Sequence, residues 1–173
     1  MLYQTHYNSP IGKILLVSNE HALIGLWIEG QKYFANTITG HDVKYELTPV
    51  LKATEVWLDN YFQRKKPNLK TLPLLPSGSE FQKSVWNILC TIPYGKTITY
   101  GEIAHLISQS RNRNVSAQAV GNAVGHNPIS IIIPCHRVVG KDGNLTGYAG
   151  GIDKKMKLLE LEGADMKQFY VPK

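Results

Sequence analysis

Residues 129–138 read Ile129-Ser130-Ile131-Ile132-Ile133-Pro134-Cys135-His136-Arg137-Val138. The apolar run predicts a buried strand, and Pro134 fixes the chain's geometry at its mouth. There, one of only two cysteines stands beside an imidazole and a guanidinium. A free thiol, with a pKa of about 8.5, is only a few per cent thiolate at neutral pH, and an adjacent His or Arg is the usual means of raising that fraction. The run therefore reads as an activated thiol, with a small buried hydrophobe as the plain alternative. Neighbours on an extended strand point to opposite faces, so His136 would need a water bridge or a bend at the strand end to act on the sulfur. A base also needs an orienter. Glu162, near the end of the last helix, is the candidate, although by spacing alone any of the thirteen carboxylates serves. Asn127 can tie loop to helix through its amide, or serve only as the turn residue before Pro128.

Upstream of this run the sequence predicts helices. Ser79-Glu80-Phe81-Gln82 is a capping box opening a helix with Phe81, Val85, Ile88, Leu89 and Ile92 on its apolar face. After the turn Ile92-Pro93-Tyr94-Gly95-Lys96, a second box, Thr99-Tyr100-Gly101-Glu102, starts a helix through about Ser108, and Ser116 caps a third to about Gly125. Two short helices joined by a polar loop with Arg111 and Arg113 have the outline of a helix-turn-helix. Gly121 and Gly125 in the third helix each cost about 1 kcal/mol against Ala, which points to close approach of another backbone or a ligand. Downstream, Gly147-Tyr148-Ala149-Gly150-Gly151 can present N–H groups to a ligand oxygen, or act as a connector. The last helix is expected from Asp153, carrying Met156, Leu159 and Leu161 up to Gly163.

The first part is different. Leu2–Tyr7, Lys13–Ser18 and Ala22–Ile28 are short apolar runs separated by turn residues, the pattern of an antiparallel meander. Thr48-Pro49 opens a helix with Leu51, Leu58, Tyr61 and Phe62 on one face, closed by the basic Arg64-Lys65-Lys66. Pro67, Pro73, Pro76 and Gly78 mark the boundary. The division is a domain over 1–72, a linker over 73–78, a second domain over 79–165 and a tail over 166–173.

With 173 residues, 43% of them hydrophobic and 18% charged, the chain can bury a core without staples. It has no spanning apolar run and no signal-peptide start, so a cytoplasmic protein without a membrane partner is expected. Cys90 and Cys135 stand alone, so neither a disulfide framework nor a zinc site is assigned; Cys90, on an apolar helix face, reads as core. The net charge of +6 suggests an acidic partner such as nucleic acid. The excess leans to the second part, with 8 Lys and Arg against 6 Asp and Glu over residues 1–77 and 11 against 7 beyond.

Several of these segments together resemble the O6-alkylguanine-DNA alkyltransferases. They are Ala119-Val120-Gly121-Asn122-Ala123-Val124, Asn127-Pro128, Ile133 to Gly140, Tyr148-Ala149-Gly150-Gly151 and Leu161-Glu162-Gly163, with Ile92–Lys96 and Thr99–Ala104 fitting the same pattern. The match covers about residues 79–165, and its Pro-Cys-His-Arg-Val core is highly specific. The resemblance implies an α/β (α+β) protein: a small ribonuclease-H-like domain of sheet and helices, then a mainly helical, winged helix-turn-helix-like alkyltransferase domain. It implies a monomer that binds double-stranded DNA through the minor groove and flips the alkylated guanine into a pocket beside Cys135. Cys135 would accept the alkyl group once, without cofactor or metal, with His136 acting through water and Glu162 behind it. Tyr100 would donate a proton toward N3 of the base, and Asn127 would position the loop. Val138, Tyr148, Ala149, Val124 and Ser130 would line the pocket, with Thr146 beside them. Ser116, Ala119, Gly121, Asn122 and Gly125 would face DNA, and Gln118 stands where many relatives carry an arginine finger. Arg137 then reads as structural. The competing functions are a non-enzymatic sensor of alkylated DNA, against which Cys135 counts, a DNA-binding regulator with a structural cysteine, and a cysteine hydrolase, which would need an oxyanion hole.

Overall fold

The strand between Lys13 and Ser18 decides the first half of the molecule, because Ile14, Leu15, Leu16 and Val17 are all buried and must therefore be covered on both faces. In the computed structural model, which describes residues 1–172, this strand is β2 (Gly12–Ser18). It pairs antiparallel with β1 (Leu2–Ser9) and β3 (Leu23–Ile28), as the meander pattern predicts. A short β4 (Val43–Tyr45), too brief to carry a periodic signal, runs parallel to β1 and gives the sheet order β3-β2-β1-β4. One side of the sheet closes over Leu15, Val17, Trp27 and Ile38. Helix α1 (Pro49–Phe62) packs against β1, β2 and β3 with Leu51, Trp57, Leu58 and Tyr61 buried. Its cap, Thr48, accepts the Leu51 N–H at 3.1 Å and also bonds Ser18 at 2.8 Å, which ties the helix start to β2. The basic Arg64-Lys65-Lys66 falls beyond the helix: Gln63 caps it, and Arg64 and Lys66 take left-handed turns.

The chain forms two units, residues 1–77 with 128–132, and residues 78–127 with 133 onward. The isoleucine run is therefore not a strand leading to the cysteine. Its first residues pair with the open side of β3: the Leu26 N–H donates to Pro128 O and the Ser130 N–H to Leu26 O. Pro73–Leu75 pairs with the same strand around Leu23. The reason is the edge itself, whose backbone groups need partners. Ile131, at φ 71°, then turns the chain in a conformation β-branched residues seldom adopt.

In the second unit α2 (Glu80–Leu89), α3 (Tyr100–Arg111) and α4 (Ala117–Gly125) pack on one another. The Ser79–Gln82 box closes in both directions and Ser116 caps α4. Trp86, half-way along α2, is buried and donates its indole N–H to Ala123 O at 2.9 Å. α3 runs three residues past the expected Ser108, and Arg111 belongs to it rather than to the loop, bonding Ser84 at 2.9 Å and stacking over Phe81. Two short strands, β5 (Ile98–Thr99) and β6 (Val138–Val139), pair in parallel. The last helix, α5 (Ile152–Leu161), starts one residue early and buries Lys155, Leu158 and Leu159, while Met156 is exposed. Residues 166–170 are no loose tail: Met166 and Phe169 pack on Val139, Leu145 and Leu159, and Tyr170 exchanges backbone hydrogen bonds with Gly143 and Leu145.

Gly25 gives a sharp test of this core. A Cβ there would lie 2.1 Å from the buried Trp27 ring, whereas one at Gly125 would meet nothing within 4 Å. Gly25→Ala is expected to cost about 1–3 kcal/mol or more in chemical denaturation, and Gly125→Ala to be neutral or mildly stabilising.

Candidate active site

Cys135, His136 and Arg137 form a single turn of 3₁₀ helix, in place of the expected strand end. Successive side chains leave such a turn about 120° apart rather than alternating between two faces, and the long side chains of His136 and Arg137 then meet at one carboxylate while Cys135 does not. Cys135 and His136 are buried, at 3% and 0% exposure. Asn127, just beyond α4, donates its amide to Ile133 O at 2.8 Å and also hydrogen-bonds Cys135. It therefore holds the approach to the turn and the sulfur at once.

Of the carboxylates, the one that meets His136 is Glu162. Its Oε2 lies 2.6 Å from His136 Nε2 and accepts from Arg137 Nη2 at 3.0 Å. Its Oε1 accepts from Arg137 Nε at 2.8 Å and from the Gly95 N–H at 3.0 Å. Arg137 completes its fork by donating to Ile92 O at 2.7 Å and stacks over Tyr94, whose hydroxyl reaches Leu161 O at 3.3 Å. The turn at residues 92–95 is thus a cradle for the Arg137–Glu162 pair. Gly95 is required there: its φ is +80°, and a Cβ would sit 2.8 Å from Glu162 O.

These contacts set the charge states. Burial opposes ionisation of Glu162, but His136 and Arg137 overcome it and hold the carboxyl well below the usual range. Burial keeps His136 neutral, helped by Arg137 and against the pull of Glu162. With Nε2 donating to the carboxylate, Nδ1 is the lone-pair nitrogen. Burial also pushes the Cys135 thiol up, only partly offset by Asn127, the charge of Lys155 and backbone N–H groups. The resting sulfur is therefore a protonated, buried thiol. The low-pKa thiol expected from the sequence is corrected, because Arg137 spends its charge on Glu162 and His136 carries none.

Lys155 was not among the expected residues. It is fully buried on α5 and donates to Thr146 O at 3.1 Å, the carbonyl to which the Tyr100 hydroxyl also donates at 3.1 Å. Its Nζ lies 5.9 Å from the Tyr100 ring centroid. Burial lowers its pKa to about 8 against the opposing pull of Cys135, and raises that of Tyr100 to about 12. A signal was present: Ile152, Lys155, Leu159 and Glu162 follow helical spacing along one side of α5. Tyr100 lies between two glycines, with Gly121 facing its ring and Gly147 its hydroxyl.

The remaining expected residues divide. Val124, Val138 and Tyr148 are buried in this unit, Ala149 is half-buried, and the Tyr148 hydroxyl has no hydrogen-bond partner among the described residues. Burial, Cys135 and Glu162 hold that phenol well above its ordinary pKa. Ser130 is buried in the first unit, where its hydroxyl bonds Gln31 at 3.3 Å. Ser116, Gln118, Ala119 and Asn122 are exposed on α4, with Gly121 and Gly125 half-buried. A cavity of about 840 Å³ opens along the same unit, lined by Thr99, Tyr100, His105, Ala117 and Lys141 among others. Cys90 is half-buried at the end of α2, its thiol also raised by burial.

A buried thiol with an imidazole and carboxylate behind it, in a unit that also presents a helix-turn-helix, defines a thiol-dependent protein that works on nucleic acid. Comparison with known proteins agrees. Residues 2–76 match the 6-O-methylguanine DNA methyltransferase ribonuclease-like domain and residues 80–164 the DNA binding domain of the same family. A methylated-DNA–protein-cysteine methyltransferase of Haemophilus influenzae is 40% identical over 93% of this chain and 86% of its own. One of Methanosarcina barkeri is 42% identical over 96% of this chain and all of its own. The crystal structure of Mycobacterium tuberculosis O6-methylguanine methyltransferase, 37% identical, superposes with a TM-score of 0.78 over 96% of this chain and 98% of that one. The same organism's OGT in complex with DNA gives 0.79 over 96% and 94%. The chain belongs to the 6-O-methylguanine DNA methyltransferase family.

Replacing Glu162 by Gln should leave Arg137 buried without its anion and cost about 3–5 kcal/mol at neutral pH. The carboxyl's folded pKa is depressed, so its stabilisation is present above the unfolded value and is lost as pH falls below about 4.5. Urea titrations of the two proteins should therefore converge on acidification; an unchanged difference at pH 3 would contradict the assignment.

Proposed function

We propose that Cys135 is the single-use acceptor for an alkyl group carried on O6 of guanine in duplex DNA. Repair of DNA by alkyl transfer to a protein cysteine is the activity of this family, and the residues above supply each step. The observation that carries the reading is the buried set of Cys135, Asn127, His136 and Glu162, in the unit whose α4 exposes Gln118 and Asn122.

The exposed face of α4 enters the minor groove with Ser116, Ala119, Gly121, Asn122 and Gly125, and Gln118 fills the gap left by the flipped base. The base stacks into the pocket beside Val124, Val138, Tyr148 and Ala149. Its exocyclic amine donates to backbone carbonyls at Cys135 and Val138; the Cys135 carbonyl already takes the Val138 N–H and keeps a second lone pair. The Ala149 N–H faces O6.

His136 takes the thiol proton through a bridging water at Nδ1, and the imidazolium so formed is stabilised by the Glu162 carboxylate. The thiolate attacks the alkyl carbon in line; the S–C bond forms, the C–O6 bond breaks, and Tyr100 protonates N3 of the departing guanine. A thioether has no leaving group, so each molecule turns over once. The protein acts as a monomer in the cytoplasm, and among the described residues no helix is long and apolar enough to cross a membrane.

Duplex DNA bearing radiolabelled O6-methylguanine should transfer label to Cys135 with one-to-one stoichiometry, and Cys135→Ala should bind without accepting label. Binding by the wild-type protein with no transfer would contradict the reading and favour a sensor or regulator. Gln118→Arg should tighten duplex binding about tenfold at low salt, with single-turnover chemistry on saturating DNA unchanged. Unchanged affinity would remove Gln118 from the gap-filling role.

A further inference from the structure

The Tyr148 side chain serves the scheme above only as a wall for the base, a duty a phenylalanine would fill, yet it carries a hydroxyl. Tyr148 is 8% exposed, and its Oη has no hydrogen-bond partner among the described residues. A hydroxyl taken out of water costs stability until something meets it, and buried polar groups are nearly always met, by protein or by ordered water. The backbone that carries it is fixed: the Gly151 N–H donates to Tyr148 O at 2.9 Å, and α5 follows at once. The phenol is coupled electrostatically to Cys135 and Glu162, so it faces the ground between sulfur and carboxylate where His136 stands. The other charges at this place are Arg137, bound to Glu162, and Lys155, held at Thr146 O.

We propose that the Tyr148 hydroxyl holds the water that carries the proton from Cys135 to His136. The inference rests on the water-mediated role given to His136 above. The phenol O–H donates to the water oxygen, which also accepts from the thiol, and the water donates to His136 Nδ1. When the thiol ionises, the S–H bond breaks and its proton joins the water oxygen, while the water's own proton passes to Nδ1. The electron pair stays on sulfur and the water is restored. The phenol neither gives nor takes a proton, so Tyr148 is a positioning residue.

The surroundings support this placement. Val124 and Val138 are buried and apolar, so they give a water no side-chain hydrogen bond. Asn127 uses its amide for Ile133 O and the sulfur. A buried water needs about three polar partners. Sγ, Nδ1 and the Tyr148 hydroxyl make three, and the first two alone would leave it free to swing out of line. The phenol also suits a post that must not titrate: burial, Cys135 and Glu162 hold it well above its ordinary pKa, so it remains a donor when the thiolate forms.

Tyr148→Phe removes one oxygen and keeps the wall, and two measurements read the effect. Thermal melting tests the site without chemistry. A hydroxyl met by water is lost at no gain, so the variant should melt at or below the wild-type temperature; a higher temperature would show an unmet hydroxyl and overturn the proposal. Methylation of the Cys135 peptide is then followed by mass spectrometry with two donors, methyl iodide and O6-methylguanine in duplex DNA. Both need the thiolate, so the variant should be slower by about tenfold with each at pH 7. The deficit should shrink as pH rises to about 9.5, since hydroxide takes the thiol proton without the relay. Equal rates, a deficit confined to DNA, or one that does not change with pH would each overturn it, the last two marking a hydroxyl that serves the base or the packing. A wild-type protein methylated by methyl iodide but not by DNA would sink the alkyl-transfer reading, while a pH-dependent deficit with methyl iodide would leave the Tyr148 relay standing.

Discussion

Glu162 accepts from Arg137 twice, from the Gly95 N–H and from His136, all away from solvent. Burying a lone carboxylate would cost several kcal/mol, and only a dense shell of charge-assisted bonds offsets that. Three separate stretches meet there: the 3₁₀ turn, which supplies Arg137 and His136, the residue 92–95 turn, which supplies the Gly95 N–H, and the end of α5, which carries the accepting carboxylate. The 3₁₀ turn is held because Arg137 and His136 both reach one carboxylate. The turn so held, with the Asn127 hydrogen bond, positions the sulfur.

One consequence is that the sulfur is quiet at rest. With Arg137 bound to Glu162 and His136 neutral, Lys155 is the cation that draws Cys135 toward the thiolate, and burial outweighs it. For a residue used once, a protonated buried thiol limits loss to stray electrophiles, because the thiolate is the reacting form. In the proposed mechanism reactivity then depends on His136 accepting a proton when substrate fills the pocket, with the carboxylate behind it stabilising the resulting imidazolium. A lowered resting pKa would give faster chemistry and also faster waste.

The sequence made some of this legible. The three strands of the meander, the Thr48, Ser79 and Ser116 caps, and the pairing of His136 with Glu162 all rest on local signals, turn residues and capping side chains, or on a specific motif. What it hid depends on tertiary demands. Ile129–Ile133 has the composition of a strand, but the unpaired edge of β3 takes its first residues and Ile131 turns the chain away. β4 is three residues long and carries no periodicity. Lys155 was missed because a lysine is assigned to solvent by default, although its spacing with Ile152, Leu159 and Glu162 marks the buried side of α5. Arg113 was correctly left in the loop; Arg111 was not, since its guanidinium is claimed by Ser84 and Phe81 on α2.

The fate of these cations bears on how DNA is held. The net positive lean of the second half suggested an electrostatic footprint, but Arg137 and Lys155 are buried and Arg111 is bound within its own unit. α4 carries no charged residue, and its exposed first turns present Ala117, Gln118, Ala119 and Asn122. Small side chains and amides let a helix backbone approach a groove floor closely, whereas lysines and arginines would hold it at the phosphates. If α4 is the DNA-facing helix, as proposed, it is suited to groove shape and base edges rather than to phosphates. Affinity from such a surface depends on fit more than on charge, which suits the proposed extrusion of a base from a weakened pair.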